Sequence, residues 1–183
     1  MARWESLLDE LVRERGRALV GYAFLLCGDT AEAEDLVQDA LVKTFSGRLH
    51  ADAVRSPEAY VKRAVLTTYL DGFRRRKHWA TIRHLAAPPE VDGGAQTEAL
   101  VTARMHVFQA LGSLAPRDRA CIVLRFYEDM TIRQIADQLS LSQGTVTRYL
   151  SDAVRSLEST LGPVQHDLSE ELETTPVQGR RAR

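Results

Sequence analysis

The sequence predicts an all-α fold of two small helical domains joined by a flexible linker, the C-terminal domain being a helix-turn-helix. Three observations lead there. Apolar residues recur at helical spacing, as in Trp4, Leu7, Leu8 and Leu11 or Leu36, Val37, Ala40 and Leu41, which gives a helix one apolar face. No segment alternates polar and apolar residues as a half-buried strand does. A stretch with a Pro pair and a Gly pair, "ATIRHLAAPPEVDGGAQT" at 80–97, parts the periodic halves, and such residues mark loops.

The elements follow in order. Asp29 precedes a helix with Glu32 three residues on, a start like a capping box with Asp in place of Ser or Thr. In "SPEAYVKRAVLTTYLDGFRRRK" Ser56 suits an N-cap and Pro57 the first helical position. The 18 linker residues span roughly 25 Å as a coil and at most about 60 Å extended. "CIVLRFY" at 121–127 is apolar enough for a buried strand, but Pro116 ahead and "EDMT" behind make it the middle of a helix. "TIRQIADQLSLSQGTVTRYLSDAV" then reads as one helix from Ile132 to about Leu139 and another from Gln143 onward.

Within that pair, Ile132, Ile135, Ala136 and Leu139 form one apolar stripe, and Val146, Leu150, Ala153 and Leu157 form the other. Thr131 and Gln134 make a capping box. Small Ala136 lets the helices cross closely, and Ser140 sits where this turn often carries Gly. The domains expected are thus 1–79 and 98–161, with a linker at 80–97 and a frayed tail at 162–183.

Composition sets the class. Hydrophobic residues make up 44% and charged ones 27% of 183 residues, an ordinary globular balance. No run approaches the ~18 apolar residues of a membrane span. "MARWESLLDELVRERG" lacks the basic and apolar regions of a signal peptide. The expectation is a cytoplasmic chain without membrane insertion. Cys27 and Cys121 lie far apart in apolar surroundings with no CxxC or nearby His, as buried thiols of a reducing compartment do. No metal-ligand set, carboxylate cluster or activated nucleophile is legible, so neither catalysis nor a cofactor is expected.

The net charge of −1 conceals segregation. Residues 1–40 hold four arginines against nine acids, whereas 55–84 hold eight basic residues against two acids. Such asymmetry points to two partners on two surfaces. On the helix "AEAEDLVQDALVKTF" the polar face carries Glu34, Asp35, Gln38 and Asp39; a solvated face is the plain alternative. In "YLDGFRRRKHW" four consecutive cations lie between Phe73 and Trp79. Basic residues among aromatics suit nucleic acid, including unstacked strands. Complementing the helix dipole explains one or two cations more easily than four.

In a helix-turn-helix the second helix enters the major groove, which puts Ser142, Gln143, Thr145, Thr147 and Arg148 near phosphates and base edges. A helical hairpin in a core would give similar stripes. Residues 117–161 hold six arginines against six acids. That neutrality is poor for an autonomous DNA binder, since counterion release drives non-specific affinity. Something else must deliver this domain.

Taken together, "EAEDLVQDALVKTF", "YLDGFRRRK" and "LGSLAPRDRACIVLRFYEDMTIRQIADQLSLSQGTVTRYLSDAVRSLE" resemble a bacterial RNA polymerase sigma factor of the small extracytoplasmic-function (ECF) type in the sigma-70 superfamily. The resemblance covers nearly all of 5–161 in the right order. It implies a region 2 domain, a linker and a region 4 domain, with core RNA polymerase (its β′ clamp helices and β flap) and promoter DNA as partners. An anti-sigma factor is a further partner the family allows and the sequence does not name.

Residue by residue, Asp35, Leu36, Gln38 and Asp39 match the helix that docks on the β′ clamp helices. Lys62, Arg63, Thr67, Arg74, Arg75, Arg76 and Lys77 match the part that grips and melts the −10 element. Arg117, Arg119, Thr131, Ser142, Gln143, Thr145, Thr147 and Arg148 match the surface that reads the −35 element. Thr67 stands where relatives usually have Asn, four residues before Asp71. The usual recognition-helix cations are replaced by Thr147, Tyr149 and Asp152, with Arg148 in place of a common Ser. These departures bear on promoter sequence, because direct readout depends on those side chains. The alternative is a stand-alone LuxR-like helix-turn-helix regulator with a helical sensor or dimerisation domain. "LSLSQGTVTRYL" fits both; the acidic helix and "FRRRK" favour the sigma reading.

Overall fold

A computed structural model describes residues 3–46, 56–82 and 98–162, with side chains for 6–45, 56–73 and 106–162. All its regular elements are helical: α1 (Arg3–Cys27), α2 (Thr30–Ser46), α3 (Pro57–Ile82), α4 (Glu98–Ser113), α5 (Pro116–Ile122), α6 (Ile132–Leu139) and α7 (Gln143–Leu161). The corner between α1 and α2 is a stop followed by a start. Gly28 adopts φ +81° and its N–H donates to Phe24 O at 2.8 Å, a left-handed ending that a Cβ would strain. Asp29 Oδ1 then accepts the Glu32 N–H at 2.7 Å, as the sequence predicts. On α3, Ser56 Oγ accepts the Ala59 N–H at 3.3 Å with Pro57 as the first helical residue.

α3 continues to Ile82, so the first three residues assigned to the linker are helical. The helix-stopping Pro88 and Pro89 come only later. The remaining linker, 83–97, and the tail from 163 lie outside the described residues. "CIVLRFY" is helical as expected, but Val123–Tyr127 widen into a π turn, with the Glu128 N–H donating to Val123 O at 3.2 Å. The widened turn leaves Phe126 and Tyr127 exposed.

The helix-turn-helix has the predicted bounds. Thr131 caps α6 in a complete capping box with Gln134. Ser140 takes φ 54°, the left-handed place that glycine favours. Ile135, Ala136, Val146, Leu150 and Ala153 are buried at the crossing.

Each domain has its own helical core, with Leu19, Leu26, Val37, Ala40, Val61 and Val65 in the first. Yet the two cores form one continuous apolar cluster. α1 packs directly on α4 and α5, and α3 on α5, where the sequence reading placed two domains on a tether. The join is aromatic: Phe24 meets Phe108 edge-on at 5.1 Å, and Tyr22 meets Tyr127 at 6.2 Å. Tyr22 belongs to the buried face of α1 with Leu19, Ala23 and Leu26, and spacing along α1 does not show that Tyr127 of the other domain meets it. Cys27 and Cys121 are free thiols, the first half-buried and the second buried; burial pushes the Cys121 thiol up to about 12.

Candidate docking face and nucleic-acid interface

On α2, Glu34, Asp35, Gln38 and Asp39 are all exposed. None makes a hydrogen bond or ion pair with another described residue. Asp35 and Asp39 are one turn apart, a like-charge pairing that costs a helix ~0.2–0.5 kcal/mol. Val42, one turn further on the same side, is 64% exposed. The stripe is therefore acidic, unneutralised and apolar at one end. Leu36, expected with these residues at the docking surface, is instead buried. Its side chain packs into the core and holds α2 in place, because the helix turns it about 100° from Asp35 and away from the middle of the exposed stripe.

The basic helix is divided. Arg63 and Thr67 are exposed one turn apart on α3. The Thr67 hydroxyl donates to Arg63 O at 2.9 Å, so its one donor is engaged by its own helix. Lys62 points elsewhere: its Nζ lies 3.2 Å from Glu58 and 2.8 Å from Glu128 of the C-terminal domain. Burial alone would pull the Lys62 ammonium down, but the Glu128 and Glu58 carboxylates outweigh it and hold it above the usual lysine range. Arg74, Arg75, Arg76 and Lys77 fall on the last turns of α3, and their side chains lie outside the described residues.

On the helix-turn-helix, most candidate readers serve the fold. Ser142 Oγ accepts the Thr145 N–H at 3.1 Å and shares a hydrogen bond with Thr145 Oγ1 at 2.8 Å. Thr147 donates to Gln143 O at 3.0 Å, and Thr131 is committed to its capping box. Gln143 and Arg148 are exposed with uncommitted polar ends. The Arg148 guanidinium lies 5.1 Å from the centre of the Tyr149 ring, a cation–π contact that favours one orientation. Asp118 lies close enough to feel both Arg148 and Asp152; its carboxyl is held high by burial and by Asp152, with Arg148 opposing. Arg117 is half-buried on α5.

Arg119, expected at the −35 surface, is 5% exposed. Its guanidinium reaches across to the N-terminal domain. A Cβ on Gly28 would stand 3.1 Å from Arg119 Nη2, and Tyr69 feels the guanidinium as a hydrogen-bond partner and a nearby charge. Burial pushes the Tyr69 phenol up while Arg119 opposes it. Sequence reasoning missed this contact, and with it Tyr22, Tyr69, Tyr127 and Glu128. The available signal was Arg119 itself, a cation directly before the apolar run 120–124. Tyr149 was seen only as a departure from a family pattern, not as a stacking partner. Among the described residues no His, Cys, Asp and Glu group is placed to hold a metal ion, and no helix is long and apolar enough to cross a membrane.

A helix with an exposed acidic stripe, a helix ending in a basic run and a helix-turn-helix are the parts of a DNA-binding transcription protein. Comparison with known proteins narrows this. Residues 11–78 match the family "Sigma-70 region 2" and residues 110–158 match "Sigma-70, region 4". The chain is 34% identical over 163 residues to the RNA polymerase sigma-E factor of Streptomyces avermitilis, covering 88% of this chain and 89% of that one. It is 30% identical over 159 residues to the ECF RNA polymerase sigma factor SigL of Mycobacterium tuberculosis, covering 85% and 89% of the two chains. The fold is similar to that of the sigma factor RpoE in its co-crystal structure with the anti-sigma factor NepR from Bartonella quintana. There the TM-score is 0.68 at 22% identity, over 86% of this chain and 97% of that one. The chain belongs to the ECF branch of the sigma-70 family. The region 2 match occupies the place where a stand-alone regulator would carry its sensor domain.

Proposed function

We propose that this chain is a promoter-specificity subunit acting in the cytoplasm. It binds core RNA polymerase, recognises −10 and −35 elements and promotes DNA melting, with no chemistry of its own. The observation that carries this reading is the unneutralised stripe of Glu34, Asp35, Gln38 and Asp39 on α2, inside the segment that matches region 2. Charges left unpaired at a cost to the helix suit a basic partner surface. Arg63 and the Arg74–Lys77 run supply the contact to the −10 DNA, where phosphate attraction and base stacking hold a melted strand. Gln143 and Arg148 carry the −35 readout, since amide and guanidinium groups pair with adenine and guanine edges.

The charge-neutral C-terminal domain works because polymerase and region 2 hold it beside its site. Its binding then becomes an intramolecular event, worth about 10²–10⁴ in effective affinity. An anti-sigma factor is a further partner this reading admits. The test is transcription of a genomic DNA pool by bacterial core polymerase with and without the protein. New start sites sharing two spaced elements are expected; the same transcripts in both reactions would overturn the proposal.

A further inference from the structure

The outward side of α7 carries a short row of exposed residues at helical spacing, Gly144, Arg148, Asp152 and Arg155. Val146, Leu150 and Ala153 on the other side are buried, so this row is what α7 turns away from its own domain. Two of its members serve no need of the fold. A Cβ on Gly144 would meet nothing within 4 Å, and its φ lies outside the left-handed region. Glycine has more freedom to lose in a helix than alanine has, so its use here makes room for something outside the chain. Asp152 is the other. Its side chain is 46% exposed, and the one hydrogen bond it accepts among the described residues runs from Arg155 Nη1 to Oδ1 at 3.2 Å. An exposed pair of that kind contributes ~0–1 kcal/mol. Against it stands the half-buried Asp118 of α5, whose carboxyl Asp152 helps to hold high. The fold thus keeps a carboxylate where a second carboxylate repels it, in the middle of the outward face.

We propose that Asp152 is a specificity-determining residue of the −35 reading, where it accepts a hydrogen bond from the amino group of a cytosine in the major groove. This rests on the DNA role proposed above for α7. An ionised carboxylate offers acceptors alone. Guanine O6 and N7 and thymine O4 are acceptors too and are repelled, whereas cytosine N4 and adenine N6 donate. Beside N6, adenine carries the acceptor N7, so a carboxylate favours cytosine of the two. Arg155 engages Oδ1, which leaves Oδ2 for the base. Like charge on Asp118 disfavours a carboxylate folded back against α5. One turn earlier on the same row, Arg148 offers donors alone and suits guanine O6 and N7. The two positions are about 6 Å apart along the helix axis, roughly two steps of ~3.4 Å along a DNA strand. A carboxylate facing DNA weakens binding to every sequence, because phosphates repel it. It gains discrimination by rejecting wrong bases, which suits a domain held at its site by a tether.

The test uses holoenzyme assembled with bacterial core polymerase and a library of random-sequence duplexes, from which bound sequences are recovered and read. The wild type should enrich cytosine at one −35 position, close to a guanine that Arg148→Ala no longer selects. Asp152→Ala should lose the cytosine preference, about 10-fold, and keep the guanine. Asp152→Asn should move the preference to adenine, since an amide pairs with N6 and N7 together. Arg155→Gln removes the ion pair and keeps the carboxylate, so its profile should match the wild type. An Asp152→Ala profile unchanged in shape, with affinity raised equally for all sequences, would mean that the carboxylate only repels phosphates and would overturn the proposal. So would an Arg155→Gln profile that reproduces that of Asp152→Ala, because Asp152 would then act through its pair and not on the base. A base preference that Arg148→Ala relaxes and Asp152→Ala does not would remove this subsite and leave the −35 reading standing. A wild-type holoenzyme with no base preference in the upstream element would remove the −35 reading, and the subsite with it.

Discussion

On α2, Asp35 and Asp39 stand one turn apart and make no ion pair among the described residues; on α7, Ser142, Thr145 and Thr147 engage their hydroxyls within the helix itself. The first helix keeps a self-repelling charge stripe that no described residue neutralises. The second is held by its own cap, and in the proposed function it reads base geometry against a neutral background. A docking face profits from a field because the field steers encounter. A base reader that is delivered by tethering profits from low non-specific affinity, since phosphate attraction is indifferent to sequence. In the proposed function the two helices thus divide attraction from discrimination.

The strongest way to break this comparison is at α2. Reversing Asp35 and Asp39 to Lys should weaken association with core polymerase by ~2–5 kcal/mol, the cost of reversing charge at a desolvated contact. Helix content and thermal midpoint should hold, because both residues are exposed. Leu36→Ala is the mirror experiment. Its side chain is buried, so the variant should lose ~2–5 kcal/mol of folding stability while its docking face keeps every charge. Co-purification with core enzyme and chemical denaturation, run on all three proteins, separate the two effects. Intact co-purification of the double reversal would sink the docking role of the stripe.

The next effect is smaller and sits on α7. Arg148→Ala in the holoenzyme should relax base preference at one −35 position by ~1–3 kcal/mol, the value of one bidentate base contact. Thr147→Ala should change it far less, because the Thr147 hydroxyl already bonds to Gln143 O. Tyr149→Ala should fall between them, since it removes the ring beneath the guanidinium and not the guanidinium itself. Competition among duplexes altered one base at a time provides the readout. Equal losses for Thr147→Ala and Arg148→Ala would mean that the internal hydrogen bonds give way on DNA.

What the sequence made legible was local. Caps at Asp29, Ser56 and Thr131 and the bounds of α6 and α7 follow from side-chain spacing along one segment, and the structure has them. The exposed stripe on α2 was legible for the same reason, because four residues on one helix fix their own relative placement. Leu36 was misplaced because a motif groups neighbours in sequence, whereas the helix turns consecutive residues to different sides. Lys62 and Arg119 were placed with DNA because nothing along the chain shows that Glu128 and Tyr69 come to meet them. Contacts between residues 62 and 128 depend on how two finished domains pack, which spacing along one segment does not encode.

The smallest predicted effect concerns the turn that sets α7 against α6. Ser140 takes φ 54° and ψ 48°, while Leu141 N–H donates to Ala136 O at 2.9 Å and Ser140 N–H reaches Asp137 O at 3.4 Å. This pair of bonds is the Schellman ending, in which the left-handed residue satisfies the last carbonyls of a helix. Serine reaches that conformation against the clash of its Cβ, which costs an L-residue roughly 1–2 kcal/mol, and glycine reaches it without the clash. Glycine also has more freedom to lose on folding, which takes back part of the gain. Ser140→Gly should therefore stabilise the C-terminal domain by ~0.5–1 kcal/mol. The hydroxyl makes no hydrogen bond among the described residues, so no contact is lost to offset the change. Denaturant midpoints of wild type and variant measure it. A destabilised variant would show that the serine hydroxyl contributes to the turn. Because Ser140 lies between the two helices and on neither reading face, promoter preference should be the same in both proteins, which separates a firmer scaffold from a changed reader.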